Sequence, residues 1–229
     1  MGKGNNGLGR AMNIPEALID ESFGGENDGT SFTLIESARR GDPDAWNRFV
    51  ELYTPLAYRN LRRLGLCEDD ASELWHEAFM QVKLKISKFD PEHSRASFRG
   101  WLATIVRNKA LDKFRKDQKR ERAIGGTDIQ QRIQQEPDRA SGFLAAIEQE
   151  SDFFETKSDD RVLMETAIAQ IQKSVSKTTF TAFYQMVTTD RSSSDIGEEL
   201  GLTGNNVRQS AKRVKDKIRQ LVNDVPSRR

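Results

Sequence analysis

Apolar side chains recur every three or four residues over most of the chain. Phe32, Ile35 and Ala38 begin this spacing and Gly41 ends it. Asp42-Pro43 then offers an N-cap and a first-turn proline, and Ala45, Trp46, Phe49, Val50, Leu52, Tyr53 and Leu56 carry the next helix to Gly65. Asp69 or Asp70 is the expected cap of the helix that follows, with Leu74, Ala78, Phe79, Val82 and Ile86 on its inner face. Asp90-Pro91 breaks the chain, and a loop runs to about Ser97. A long helix comes next, with Trp101, Leu102, Ile105, Val106 and Leu111 inward and a solvated basic stretch over 113–120. No segment alternates apolar and polar residues, so the pattern predicts an all-α fold without a sheet.

The sharpest local pattern lies between Ser192 and Arg219. Ser192 with Asp195 resembles a capping box, and Ile196, Leu200 and Leu202 are spaced to face a core. Gly201 falls where the tight turn of a helix-turn-helix needs positive φ. Thr203 is placed to cap a second helix, and Val207 is placed to pack back on the first. The outer face of that second helix then offers Asn205, Asn206, Arg208, Gln209, Lys212 and Arg213, types that read base edges and phosphates in a major groove. The same face in an ordinary helical hairpin would simply be solvated.

Charge sharpens this picture only when divided along the chain. The 229 residues carry 36 basic and 35 acidic side chains, a net charge of +1 that argues for no nucleic-acid partner. Residues 1–30 hold 2 basic and 5 acidic groups, and residues 123–160 hold 3 and 9. Residues 31–122 hold 19 and 14, and residues 161–229 hold 12 and 7, so each periodic block is +5. The chain thus divides into a mobile acidic tail over 1–30, a helical domain over 31–122, a flexible acidic linker over 123–160 and a second helical domain over 161–229. Gly125-Gly126, Glu136-Pro137 and Ser158-Asp159-Asp160 punctuate the linker, with a short helix expected between Phe143 and Phe154.

Several classes of function are excluded in turn. One cysteine, Cys67, gives no internal disulfide and no thiolate zinc cage. No apolar run approaches membrane-spanning length, and the first ten residues lack the apolar core of a signal peptide, so a cytoplasmic protein is expected. His76-Glu77 begins like a zinc-hydrolase motif, but Met80 stands where the second histidine belongs. There is no phosphate loop and no nucleophile elbow. The chain is therefore expected not to be an enzyme, to need no cofactor or metal, and to take no small-molecule substrate.

Three strings in order carry a family resemblance: GDPDAW at 41–46, FRGWL at 98–102 and RNKALD at 107–112. Followed by the distal helix-turn-helix, they resemble the extracytoplasmic-function sigma factors of bacterial RNA polymerase, with a sigma-two helical bundle and a sigma-four helix-turn-helix domain. Thr179 to Phe183 resembles the Thr-x-x-Ala-Phe string of planctomycete-like variants.

The resemblance implies partners and roles. Core RNA polymerase would be met by Glu73, His76, Glu77 and Gln81, where the family pattern Asp-Leu-x-Gln-Glu-x-Phe reads Glu73 to Phe79 and His76 replaces the usual Gln. The −10 promoter element would be followed and opened by Lys88, His93, Arg95, Arg99, Asn108, Lys109, Lys113 and Arg115, with Asp112 orienting a neighbouring cation. Phe98 and Trp101 read as core rather than as stacking platforms. The −35 element would be read by Thr203, Asn205, Asn206, Arg208, Gln209, Lys212 and Arg213. Promoter DNA is thus the second partner, and an anti-sigma factor is a third that the family allows. The competing reading is a helix-turn-helix regulator that binds DNA without being a polymerase subunit; it leaves the first two strings unexplained.

Overall fold

The computed structural model describes residues 14–23, 33–89, 98–124, 154 and 156–222. Every regular element among them is helical: α1 (Glu16–Phe23), α2 (Thr33–Arg39), α3 (Pro43–Arg63), α4 (Glu68–Lys85), a 3-10 turn (Ile86–Lys88), α5 (Phe98–Ile124), α6 (Lys157–Ser174), α7 (Lys177–Thr188), α8 (Ser193–Leu200) and α9 (Gly204–Val222). The all-α expectation holds for these residues.

Local chemistry sets the ends. Asp42 caps α3 by accepting from Asp44 N–H, with Pro43 in the first turn. Gly65, at φ +86°, closes that helix in a conformation side-chain-bearing residues avoid. The cap of α4 is not Asp69 or Asp70 but Cys67, whose Sγ accepts from Asp70 N–H and donates to the Asp70 carboxylate at 3.2 Å. The helix starts two residues early because Asp70, as N3, is occupied by Cys67 from one side and Lys113 from the other.

The first module is built on aromatic rings. Phe49, Tyr53 and Phe98 are wholly buried, and Phe98 meets Phe49 edge-on at 5.7 Å and Phe89 at 5.3 Å. Trp101 leans on Phe98 and Phe89, so both aromatics of the FRGWL string belong to the core. Trp75 is buried as well, its indole N–H donating to Thr54 Oγ1 at 2.9 Å.

The described helices do not separate into two isolated bundles. One apolar cluster runs from the first module through Leu163, Met164, Ala167, Ile168 and Ile171 of α6 into Val214, Ile218 and Val222 of α9. Helix α6 packs on α3 on one side and on α9 on the other. A second, small cluster of Ala182, Ile196 and Val207 closes the helix-turn-helix.

Two parts of the expected domain division change. Residues 14–23, assigned to a mobile tail, form α1 and bury Ile14, Leu18, Ile19 and Ser22. The end of the expected linker is also structured. Thr156 and Asp159 form a reciprocal capping box that starts α6 at Lys157, and Asp159 is fully buried. Asp159 accepts from Asn60 Nδ2 at 3.0 Å, and Asp160 takes the Arg99 guanidinium at 2.6 Å. The acidic pair is therefore an anchor onto the first module. The expected helix over 143–154 lies outside the described residues apart from Phe154, which is buried with φ +71°.

Candidate nucleic-acid and polymerase interface

The helix-turn-helix has the geometry its sequence requires. Ser192 accepts from Asp195 N–H at 3.1 Å, and Thr203 Oγ1 accepts from Asn206 N–H at 3.2 Å, so both helices are capped as expected. Gly201 lies in the left-handed region at φ +67°, and its N–H returns to the Gly197 carbonyl. Leu202 N–H reaches the same carbonyl at 2.8 Å. Val207 is wholly buried against this turn.

Gly197 is a residue that periodicity alone does not single out. A Cβ at that position would stand 2.5 Å from the Leu202 carbonyl oxygen and 3.2 Å from Gly204 N, both backbone atoms. Only a hydrogen lets the turn close over α8. The signal was available as a glycine four residues before the turn glycine.

The polar face of α9 is open. Thr203, Asn205, Asn206, Arg208, Gln209, Lys212 and Arg213 are all exposed, while Val207, Ala211, Val214, Ile218 and Val222 point into the core. Arg208 donates to Ser193 Oγ at 2.7 Å, which holds its guanidinium over the start of α8. Glu199 is tied to Arg191 and accepts from Gln185 at 3.1 Å; the Arg191 bond, then the Gln185 bond, lowers its carboxyl below the ordinary range. Arg208, Lys212 and Arg213 thus project to solvent from this face.

The residues expected at the −10 element divide into three settings. Lys88, Asn108 and Arg115 are exposed, and Arg115 lies 3.9 Å from Asp112, the orienting acid. Lys109 and Lys113 turn toward α4 instead. Lys109 pairs with Glu77 at 3.1 Å, and Lys113 pairs with Asp70 and Glu73, each at 3.1 Å. Arg99 departs from expectation. It is 7 % exposed and bonded to Asp160 and the Phe154 carbonyl, so its charge holds α6 on the first module rather than following a DNA backbone. His93 and Arg95 lie outside the described residues.

Glu73 and Glu77, expected to meet polymerase, are therefore the ion-pair partners of two residues expected to meet DNA. Burial works against the Lys113 charge, but its hydrogen bonds to Glu73 and Asp70 outweigh it and hold the ammonium above its ordinary range. Asp70 is held below the usual carboxylate range by the Cys67 bond first and the Lys113 bond second. A group with a depressed pKa stabilises the fold above its unfolded value and loses that contribution as pH falls through the folded one. The thermal midpoint of Asp70→Asn should therefore lie below wild type at neutral pH, and the gap should close as pH drops below about 4. A gap independent of pH would show that the Asp70 charge contributes nothing.

His76 and Glu77 are exposed, and Gln81 is half-buried. Met80 and Leu84, 47 % and 68 % exposed, are the large apolar side chains most open to solvent among the described residues. With Glu73 and Glu77 they form one stripe at spacings of four, three and four, the seam spacing of a coiled coil. Attention to charge alone misses them, although their period was legible. No group of histidine, cysteine and acidic residues suited to a metal ion occurs among the described residues, and no described helix is long and apolar enough to cross a membrane.

Comparison with known proteins agrees with this geometry. Residues 49–120 match the Sigma-70 region 2 family. The chain is 30 % identical over 82 residues to "ECF RNA polymerase sigma factor BldN" of Streptomyces coelicolor, covering 36 % of this chain and 30 % of the relative. It is 29 % identical over 82 residues to "ECF RNA polymerase sigma factor SigW" of Bacillus subtilis, covering 36 % of this chain and 42 % of the relative. The matched part is thus well under half the length of either relative, and neither relative bears on the planctomycete-like string. The stretch over 49–120 that matches Sigma-70 region 2 holds the aromatic core, the α4 stripe and the α4–α5 ion pairs, and over 82 residues the chain is similar to two extracytoplasmic-function sigma factors.

Proposed function

We propose that this chain is a promoter-specificity subunit of bacterial RNA polymerase. The observation that carries the reading is the combination of a stretch matching Sigma-70 region 2 with an open, cationic helix-turn-helix face on the same chain. In this reading the α4 stripe docks on a helical element of core polymerase. Glu73 and Glu77 meet basic side chains there, His76 and Gln81 flank them, and Met80 and Leu84 add an apolar half to the seam. Asn108 and Arg115, joined by Lys88, Lys109 and Lys113, follow the non-template strand at the −10 element. Unstacking a base there costs a few kcal/mol, which polar and stacking contacts to the captured base must offset. Helix α9 enters the major groove of the −35 element. Either module alone binds weakly; attachment to the same polymerase makes the second contact intramolecular.

The decisive experiment is co-elution with core polymerase followed by run-off transcription from genomic fragments. Start sites that share two spaced elements are the expected result. Co-elution failure with retained DNA binding would favour a regulator that acts without polymerase. An anti-sigma partner belongs to the same reading and would be sought by co-purification from the native host.

The division between reading and positioning contacts gives a second test. Asn206→Ala and Arg208→Ala should each shift −35 preference, by about 1–3 kcal/mol for the base concerned. Lys212→Ala should weaken all promoters alike and lower the salt slope by about one unit. Measured across −35 variants by fluorescence anisotropy, equal losses for all three would show that α9 is seated differently.

A further inference from the structure

The two helices of the helix-turn-helix meet at their starts. A Cβ at Gly204 would stand 3.2 Å from Ser194 Oγ and 3.3 Å from the Ser193 carbonyl carbon and oxygen. The first residue of α9 thus crosses the first turn of α8 at close quarters, and the crossing fixes where Ser193 stands. Arg208 follows Gly204 by one turn of α9, so the two share the side of the helix that looks toward the start of α8. There the Arg208 Nη1 group donates to Ser193 Oγ at 2.7 Å.

The Ser193 hydroxyl has no part in capping α8. That task falls to Ser192, whose Oγ accepts from Asp195 N–H. Ser193 is the next residue, half-buried and already inside the helix, where alanine would leave both cap and helix in place. Its hydroxyl instead meets the guanidinium of an exposed arginine on the polar face of α9.

A long flexible side chain loses rotamer freedom when it binds, and one that is already held loses less. A hydroxyl oxygen suits this holding role. It is a neutral acceptor that engages one guanidinium nitrogen without neutralising the charge, and it leaves the rest of the planar fork for a base edge. That fork matches guanine, whose O6 and N7 accept two parallel N–H groups.

We propose that Ser193 is a positioning residue of the DNA-reading face: from α8 it aims Arg208 of α9 at a guanine of the −35 element, and so sets how sharply that base is selected. The inference rests on the reading of α9 as the groove helix. It requires an acceptor at position 193, which threonine also supplies and alanine does not.

The test uses the full chain and duplexes that carry each base in turn along the −35 element, with binding followed by fluorescence anisotropy. Arg208→Ala identifies the position this side chain reads. Ser193→Ala should reduce the preference for guanine at that same position at least about fivefold, with the loss falling on the guanine duplex. Ser193→Thr should restore most of it. In an Arg208→Ala background, Ser193→Ala should change nothing further. Guanine preference kept by Ser193→Ala but abolished by Arg208→Ala would overturn the role of Ser193 and leave the reading of α9 intact. Equal loss on every duplex would seat Arg208 on phosphate and overturn the proposal too. No effect of Arg208→Ala at any position would overturn the seating of α9, and this inference with it. A readout without DNA separates the two questions. In the free chain the heteronuclear NOE of the Arg208 Nε–H group should drop on Ser193→Ala, and an unchanged value would show that the hydroxyl holds nothing.

Discussion

Asp160→Ala should lower the stability of the packed chain by about 3 kcal/mol, because it strips the partner from a buried guanidinium. Arg99 and Asp160 have side-chain exposures of 8 % and 21 %, so little solvent screening discounts the loss. The Phe154 carbonyl remains as an acceptor for Arg99, but it carries no full charge. For a chain of this size the loss corresponds to a fall of roughly 6–12 °C in the melting midpoint, measured by calorimetry. Asp160→Asn keeps an acceptor and should cost about 1 kcal/mol. Equal effects of the two substitutions would show that charge is irrelevant at this contact.

The same variant should gain in binding to core polymerase. The described residues, packed around one core, make a body about 40 Å across, whereas elements about 25 base pairs apart lie about 85 Å apart along DNA. In the proposed role, reading both elements at once requires the modules to part, and any preference for the packed form reduces apparent affinity by the fraction that is open. Loosening the contact by about 3 kcal/mol raises that affinity by roughly 100-fold at most. Surface-immobilised core enzyme would register the change. Weaker binding by Asp160→Ala, with its helicity retained, would mean that the packed form is the one polymerase takes.

Gly197→Ala is the second large effect. The added methyl group would meet the Leu202 carbonyl oxygen at 2.5 Å, and no side-chain rotation can relieve a clash with backbone. A cost of about 2 kcal/mol is expected, together with loss of DNA binding as the turn is forced open. Gly201→Ala is the informative comparison. Nothing lies within 4 Å of its Cβ position, so it meets only the left-handed torsional penalty, about 1 kcal/mol, and should keep its DNA affinity. Gly201→Asn should be milder still, since Asn tolerates that region. The reverse order of severity, by denaturation and anisotropy, would show that torsion rather than close approach governs the turn.

The contrast between the two glycines also shows what a sequence discloses. Gly201 is legible because its requirement is local: a turn at that position needs positive φ. Gly197 is hidden because its requirement is a neighbour's backbone. The inward faces of α3, α4 and α5 follow from helical spacing, as do the caps at Asp42, Ser192 and Thr203. The cap at Cys67 is missed because a thiol is a weaker acceptor than the carboxylates beside it, and propensity ranks Asp first. Ser158-Asp159-Asp160 reads as linker because charge and small polar residues mark solvent in isolation. Their partners, Asn60 for Asp159 and Arg99 for Asp160, lie 99 and 61 residues away, beyond the reach of any local pattern. Helix α1 is overlooked for a compositional reason: the glycine and asparagine around it dominate, although Ile14, Leu18 and Ile19 carry its apolar face. The candidate site fares likewise. Residue types on α9 name its exposed face well, but type alone cannot tell that Lys109 and Lys113 turn toward α4 while Asn108 and Arg115 turn away.

The 19 residues of α9 make a rod about 28 Å long, its first turn tied to α8 through Val207 and its far end seated on the shared core by Val214, Ile218 and Val222. Such a rod magnifies angle into displacement: a 5° change of tilt at the Ile218 end, with the turn and α8 carried along, moves the Asn205 end by about 2.5 Å over that length. Half a base-pair step is of similar size. The packing around Ile218 is thus also an aiming device, and a residue that never approaches DNA sets where the reading end lands.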